Sequence, residues 1–166
     1  MNARKAFIAG MIGGAAMTIV MWMARTFMGM DVNLSMMLGT MVVQPPGASA
    51  WIIGFIMHLI ISGLIALIYA WGFEHVTHRA GWLVGVGFSL IHSIGAGLLM
   101  GMVAAIHPLI RAGQMPAPGF FMASKGPTYV VAFFMLHAIY GAIVGAMYAP
   151  VTQVQLHVES HGAAHA

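Results

Sequence analysis

Cysteine is absent from the 166 residues, which excludes disulfides, thiolate metal ligands and thiol chemistry. Charge is scarce as well: Asp, Glu, Lys and Arg make up 5% of the chain, where a soluble domain carries about 25%. The acids are Asp31, Glu74 and Glu159 alone, and none falls inside a long apolar run. No carboxylate pair is therefore on hand for acid–base catalysis, and no buried carboxylate relay for pumping protons. The six Lys and Arg are scattered, so nothing resembles a nucleic-acid patch. There is no phosphate loop, and no nucleophile has a base and an orienting group at useful spacing. The sequence predicts a chain without catalysis of its own.

What is present is apolar: 61% of the residues are hydrophobic. Four runs, at about 6–28, 50–71, 81–106 and 128–150, reach the roughly 20 residues needed to cross a hydrocarbon core. The segments MDVNLS, QPPGAS, FEHVTHRAG, HPLIRAGQMPAPG and ASKGP separate them and carry nearly all the charge. The expected fold is an all-α bundle of four transmembrane helices over residues 1–150, followed by a His-containing tail at 151–166. The first run is too long for a signal-peptide core and has no cleavage site leading to a soluble domain, so it reads as a retained span. Arg4, Lys5 and Arg79 lie on one side, and Arg25, Arg111 and Lys125 on the other, a tie by the positive-inside count. The basic residues ahead of the first span place both termini in the cytoplasm, which makes the chain a multi-pass protein of the bacterial inner membrane.

An offset of 79 residues brings His58 onto His137, Tyr69 onto Tyr148, Met36 onto Met115 and Met21 onto Met100. The chain then reads as a helical hairpin repeated once in parallel orientation. Small-residue packing shared by unrelated helices is the other reading of the same pattern. Four and eight residues after each histidine, on its own helical face, stand Ser62 and Ala66 in one copy and Gly141 and Gly145 in the other. Gly10 and Gly14 in the first span, and Gly81, Gly85 and Ser89 in the third, continue the theme. Small residues four apart let helices approach closely in lipid.

Candidate chemistry rests on histidine and methionine. Counting the 1.5 Å rise from the outer ends of the spans, His58 lies ~12 Å deep, His137 ~13 Å and His92 ~21 Å. An ionisable group inside a membrane is by default a functional candidate. Imidazole with thioether suits copper(I), so His58, His137, His92, Met21 and Met100 form a candidate metal set, and His58 with His137 a candidate axial pair for haem b. The plainer reading is structural: Ser62, Ser89, Ser93 and Tyr140 supply enough hydrogen-bonding groups to satisfy neutral histidines, and methionine packs softly. His157, His161 and His165 share one face if the tail is helical and could then chelate a metal, although Gly162 and the alanines after it favour a solvated end. In the outer connection, Asn33 is suited to cap a short helix, NLSMMLGTMVV, whose methionines point all round and call for an interface or another subunit to cover them.

Gly87-Phe88-Ser89 is similar to the start of the nucleophile motif of intramembrane serine proteases, but Leu90 stands where the next glycine belongs. A broader resemblance covers about residues 10–150. MGMDVNLSMMLG after the first span, His58 within the second and HAIYGAIVGAMYA in the last resemble a group of small bacterial four-span proteins carried as an uncharacterised domain. In that group a Gly-rich first span leads into a Met-Asp-Leu-Gly connection, and the last span carries His-x-x-Tyr-Gly-x-x-x-Gly, here His137, Tyr140, Gly141 and Gly145. The resemblance implies a fold and no activity.

The leading expectation is a non-catalytic integral subunit that packs onto a larger membrane complex, respiratory or copper-dependent and oxidising, with the bilayer and other integral subunits as partners. The alternative is a membrane protein that binds copper or haem b through intramembrane His and Met. A small transporter or channel comes third, lacking the broken helices and charged pathway of that class.

Overall fold

The computed structural model describes residues 1–163, with side chains as far as residue 149. Its elements are α1 (Ala3–Met28), α2 (Leu34–Thr40), α3 (Ala48–His75), α4 (Trp82–Ile106), α5 (Pro108–Arg111) and α6 (Pro127–Ala163), with a 3-10 segment, Phe120–Lys125, ahead of α6. No strand occurs among the described residues. Four helices are long and apolar enough to cross a membrane: α1, α3, α4 and the Pro127–Ala149 part of α6. The protein is a multi-pass membrane protein folded as a four-helix bundle, with helix ends within a few residues of those read from the sequence. The largest difference is α3, which runs on to His75 and carries Glu74 on its last turn. There Glu74 accepts the Tyr148 hydroxyl and pairs with the Met1 ammonium at 2.9 Å. The inner ends of α1, α3 and α6 are joined in this way.

Local chemistry sets the boundaries. The Asn2 side chain accepts the Lys5 amide at 3.0 Å, and Asn33, as expected, caps α2 by accepting the Met36 amide at 2.9 Å. These caps satisfy donors that the first turn of a helix leaves free. Gly29, at φ 65°, ends α1 in the left-handed conformation that glycine adopts without strain.

Helices pack where side chains are smallest. A methyl group built on Gly10 would run into Ser62, Gly63 and Ala66, and one on Gly14 into Ser62, so α1 lies against α3 along the predicted seam. Gly85 meets Gly141 and Gly145 in the same way, seating α4 on α6. Tyr140 rests on Gly13, which closes α1 against α6. The helices thus form a curved row, α3–α1–α6–α4, and the two ends of the row scarcely touch. Near the inner side α3 and α4 do converge, through Tyr69 and Phe73 against Phe88 at ring separations of 5.7 and 5.1 Å. Toward the outer side they splay apart.

The repeat offset explains this asymmetry. A two-fold relation between hairpins α1–α3 and α4–α6 would make the α1–α6 and α4–α3 seams equivalent, yet one is closed and the other open. Gly13 admits the Tyr140 ring at the closed seam, whereas 79 residues on the side chain is His92, which projects toward α3 and bonds Tyr69.

The short α2 differs from expectation. It packs on its own α3 through mutual glycine contacts: a methyl on Gly39 would overlap the Ala50 carbonyl, and one on Gly54 the Ser35 carbonyl. Its methionines are therefore covered by the same chain, not spread around an exposed helix. α6 continues as backbone to Ala163. The side chains of His157 and His161, and all of His165, lie outside the described residues.

Candidate functional site

Splaying α3 from α4 leaves a cleft of about 880 Å³. Its floor is formed by α1 and α6, its inner end by Tyr69, Phe88 and Tyr140, and its outer rim by α2 and the connection that carries Met115, Pro118 and Met122. Between α3 and α4 it opens sideways: Ile61, Ile68, Ile91 and Leu99 line it and are themselves exposed. In a membrane that opening faces acyl chains.

All five predicted intramembrane ligands reach this one cleft: His58, His92, His137, Met21 and Met100 line it together. The two α3 and α6 histidines are almost fully enclosed, at 6% and 7% exposure. His92 comes nearer to His137 than helix rise alone suggests, with ring centroids 4.9 Å apart. The depth count assumed that the outer ends of the spans are level. The Gly85–Gly141/Gly145 register instead carries α4 outward past the start of α6, and Phe120 and Phe121 fold back against Gly101 and Gly97 on the overhang.

Each imidazole is fixed by one nitrogen. His58 Nδ1 is 3.1 Å from Thr18 Oγ1, and that hydroxyl donates to the Gly14 carbonyl. Having spent its proton, Thr18 can only accept, so His58 carries its hydrogen on Nδ1. His137 Nδ1 lies 2.7 Å from the Phe133 carbonyl, which likewise can only accept. Both rings, when neutral, therefore present a bare lone pair at Nε2. Neither Nε2 has a partner among the described residues, nor is either sealed off, since His107 Nδ1 is the only fully buried side-chain nitrogen or oxygen left unpaired among them. His92 Nδ1 lies 3.2 Å from the Tyr69 hydroxyl, a contact compatible with either tautomer, and its Nε2 is also unpartnered.

The serines expected to satisfy these histidines do otherwise. Ser89 and Ser93 donate to the Val86 and Ser89 carbonyls of their own helix, at 2.6 and 2.5 Å, and Tyr140 donates to the Ser62 carbonyl at 2.5 Å. Thr18 and Tyr69 are the polar partners that sequence reasoning missed. Thr18 lies on the same α1 face as Gly14 and Met21, and its distance in sequence from His58 hid the contact. Replacing Thr18 by valine should let His58 populate both tautomers, seen as a second set of imidazole 15N signals, at about 1 kcal/mol in stability.

Among the described residues no three His, Asp or Glu side chains converge as a metal-ligand set. His92, placed in the candidate set by sequence, is tied to Tyr69 and stacks edge-on against His137 and Tyr140. A metal here would draw on two imidazoles with methionine sulfur, or on a macrocycle brought by the metal itself. A further histidine, His107, is wholly buried at the end of α4, its Nε2 bonded to the Met37 carbonyl at 2.9 Å and close to Thr40 Oγ1 at 3.2 Å. It ties α2 to α4 and keeps the outer rim in place.

The rim is also charged. Lys125 pairs with Asp31 at 2.6 Å, and the Asp31 amide donates to the Tyr129 hydroxyl at 3.0 Å. The Lys125 hydrogen bond, aided by the charges of Lys125 and Arg25, holds the Asp31 carboxyl below its ordinary range, against a smaller opposing effect of burial. A depressed carboxylate stabilises the fold above its unfolded pKa and loses that contribution as pH falls through the folded value. Because the Asp31 side chain is 71% exposed, Asp31→Asn should cost less than about 1 kcal/mol near neutrality, with the difference vanishing in acid when thermal stability is followed against pH.

The chain matches no family model, no curated protein and no solved structure.

Proposed function

We propose that this protein is a non-catalytic binding protein of the bacterial inner membrane, which takes a small apolar ligand or cofactor from the bilayer into the α3–α4 cleft and fixes it through imidazole nitrogen. One observation carries the reading: three histidines on three helices are each anchored through Nδ1, and each leaves Nε2 unpartnered on the wall of a cavity that opens to lipid. A histidine kept only for structure gains most from having both nitrogens bonded, since a bare polar atom in an apolar site is costly. Anchoring one nitrogen while presenting the other is how proteins prepare imidazole for a ligand. Copper(I) and haem iron belong to the class such nitrogens accept. The resemblance to small four-span bacterial proteins, and a cytoplasmic placement of both termini, are part of the same proposal.

The test is what accompanies the chain from its own membranes in mild detergent. Close to one equivalent of an extractable apolar molecule, copper or haem supports the proposal. A chain that carries nothing small and never binds anything in the cleft contradicts it.

A second reading, an integral subunit of a respiratory or copper-dependent oxidising complex, is favoured by the apolar mouth of the cleft, where Ile68, Ile91 and Leu99 are each more than 60% exposed and offer a seat for a partner's helix. Migration as part of a larger assembly in native gels supports that reading. Migration alone removes it. The methionine-rich connections support it less than the sequence suggests, since α2 is covered by α3. A channel has less support still, because the cleft ends against Tyr69 and Phe88.

A further inference from the structure

We propose that the occupant of the cleft is a lipid-soluble ring bearing hydroxyl groups, an alkyl phenol or hydroquinone, held by donation of its O–H groups to Nε2 of His58 and His137. This rests on the reading of the cleft as a ligand site and names the chemistry of the ligand.

Two bare lone pairs in an apolar cavity call for a hydrogen-bond donor or a Lewis acid. The cavity argues for the donor. Its volume of about 880 Å³ lies within the range of roughly 300–1,000 Å³ that holds organic ligands, far more than an ion requires. No third ligating His, Asp or Glu converges with these histidines among the described residues. The walls suit a ring: Tyr69 and Tyr140 meet at 87°, and His92 and His137 at 79°, so aromatic edges already point inward from several helices. The lateral opening between Ile61 and Ile68 on one side and Ile91 and Leu99 on the other lets an alkyl tail stay in the bilayer. Entry from lipid selects an apolar molecule, and the nitrogens select its polar end.

The fixed tautomers give the site a preference between oxidation states. Thr18 and the Phe133 carbonyl hold the hydrogens of His58 and His137 on Nδ1, so Nε2 repels a carbonyl oxygen and accepts a hydroxyl. A hydroquinone therefore binds where the corresponding quinone, or the dimethyl ether of the same ring, leaves both nitrogens unpaired. No electron transfer is implied.

The test uses the full chain in phospholipid nanodiscs under anaerobic conditions, with decyl hydroquinone, decyl quinone and the dimethyl ether of decyl hydroquinone as probes. Empty discs of the same lipid correct for partitioning. Saturable binding of the hydroquinone, about tenfold tighter than either other probe, is expected from the loss of neutral hydrogen bonds into a buried site. His58→Phe and His137→Phe should each weaken hydroquinone binding about tenfold and leave the ether unchanged, and His58→Gln, which retains an acceptor, should recover part of the loss. If the phenylalanine variants do not fold, the three probes on the unaltered chain decide. Equal binding of ether and hydroquinone overturns the proposal. Stoichiometric copper or haem, lost on His58→Ala with His137→Ala and unaccompanied by hydroquinone binding, overturns the ligand class and leaves the cleft as a binding site. Failure of every probe, with nothing small co-purifying, removes both.

Discussion

Replacing His58 and His137 together by alanine is expected to lower ligand affinity by about a hundredfold or more, because each imidazole contributes one directed contact and the two act on one occupant. The helices should survive the change. Each substitution removes a single anchoring hydrogen bond, to Thr18 or to the Phe133 carbonyl, and enlarges a cavity that already exists, which suggests a stability loss of roughly 2–4 kcal/mol. Circular dichroism and thermal melting in detergent measure the second quantity, and retention of the co-purified ligand measures the first. A double variant that keeps its ligand would show that the imidazoles are structural, as the plainer reading of the sequence has it. Thr18→Val should fall between, with helices intact and a weaker grip, since it leaves His58 in place and frees only its tautomer.

The second large effect concerns the seam between α4 and α6. Gly85→Leu should unfold this seam, because even a methyl at Gly85 would run into the Gly141 carbonyl and come within 3.1 Å of the Gly145 Cα. Backbone cannot yield as a flexible side chain does, so the helices must separate. Overpacking a core typically costs 1–3 kcal/mol, and a four-carbon side chain thrust into facing backbone should reach or exceed the top of about that range. Gly87 and Gly95, on the same helix, have nothing within 4 Å of where a Cβ would stand. Alanine at either should be neutral, or stabilising by about 0.5–1 kcal/mol through helix propensity. Comparing Gly85→Leu with Gly87→Ala and Gly95→Ala in one melting series separates close packing from propensity. Movement of α4 should also disturb the His92–His137 contact, so the seam variant is expected to lose ligand as well as stability.

Much of this architecture could be read from the residues. Four apolar runs divided by charged and proline-containing breaks gave the four crossings, and the residues four and eight places after His58 and His137 gave the seams, since Ser62 and Ala66 meet α1 while Gly141 and Gly145 meet α4. Convergence of His58, His92, His137, Met21 and Met100 on one cavity was foreseen from type and position. What escaped the sequence depends on register and on long-range partners. The outward overhang of α4 is set by where Gly85 lands on α6, and helix rise alone carries no such information. Thr18 and Tyr69 are ordinary residues of apolar helices until their neighbours are known. The cover given to α2 by its own α3 depends on Gly39 and Gly54 meeting across 15 residues, which local periodicity does not encode. The opening between α3 and α4 arises at one repeat-related pair, Gly13 and His92, where a missing side chain in one copy is a large one in the other.

The nitrogens of His58 and His137 are where the account is most directly exposed. Solid-state 15N spectra of the histidine-labelled chain in bilayers, assigned with His58→Gln and His137→Gln, should show both rings protonated at Nδ1 and unprotonated at Nε2, with the Nε2 signals alone shifting when the cleft is filled. Rings protonated at Nε2, or Nε2 signals indifferent to every occupant, would contradict the claim that these imidazoles are held ready for a ligand arriving from the membrane.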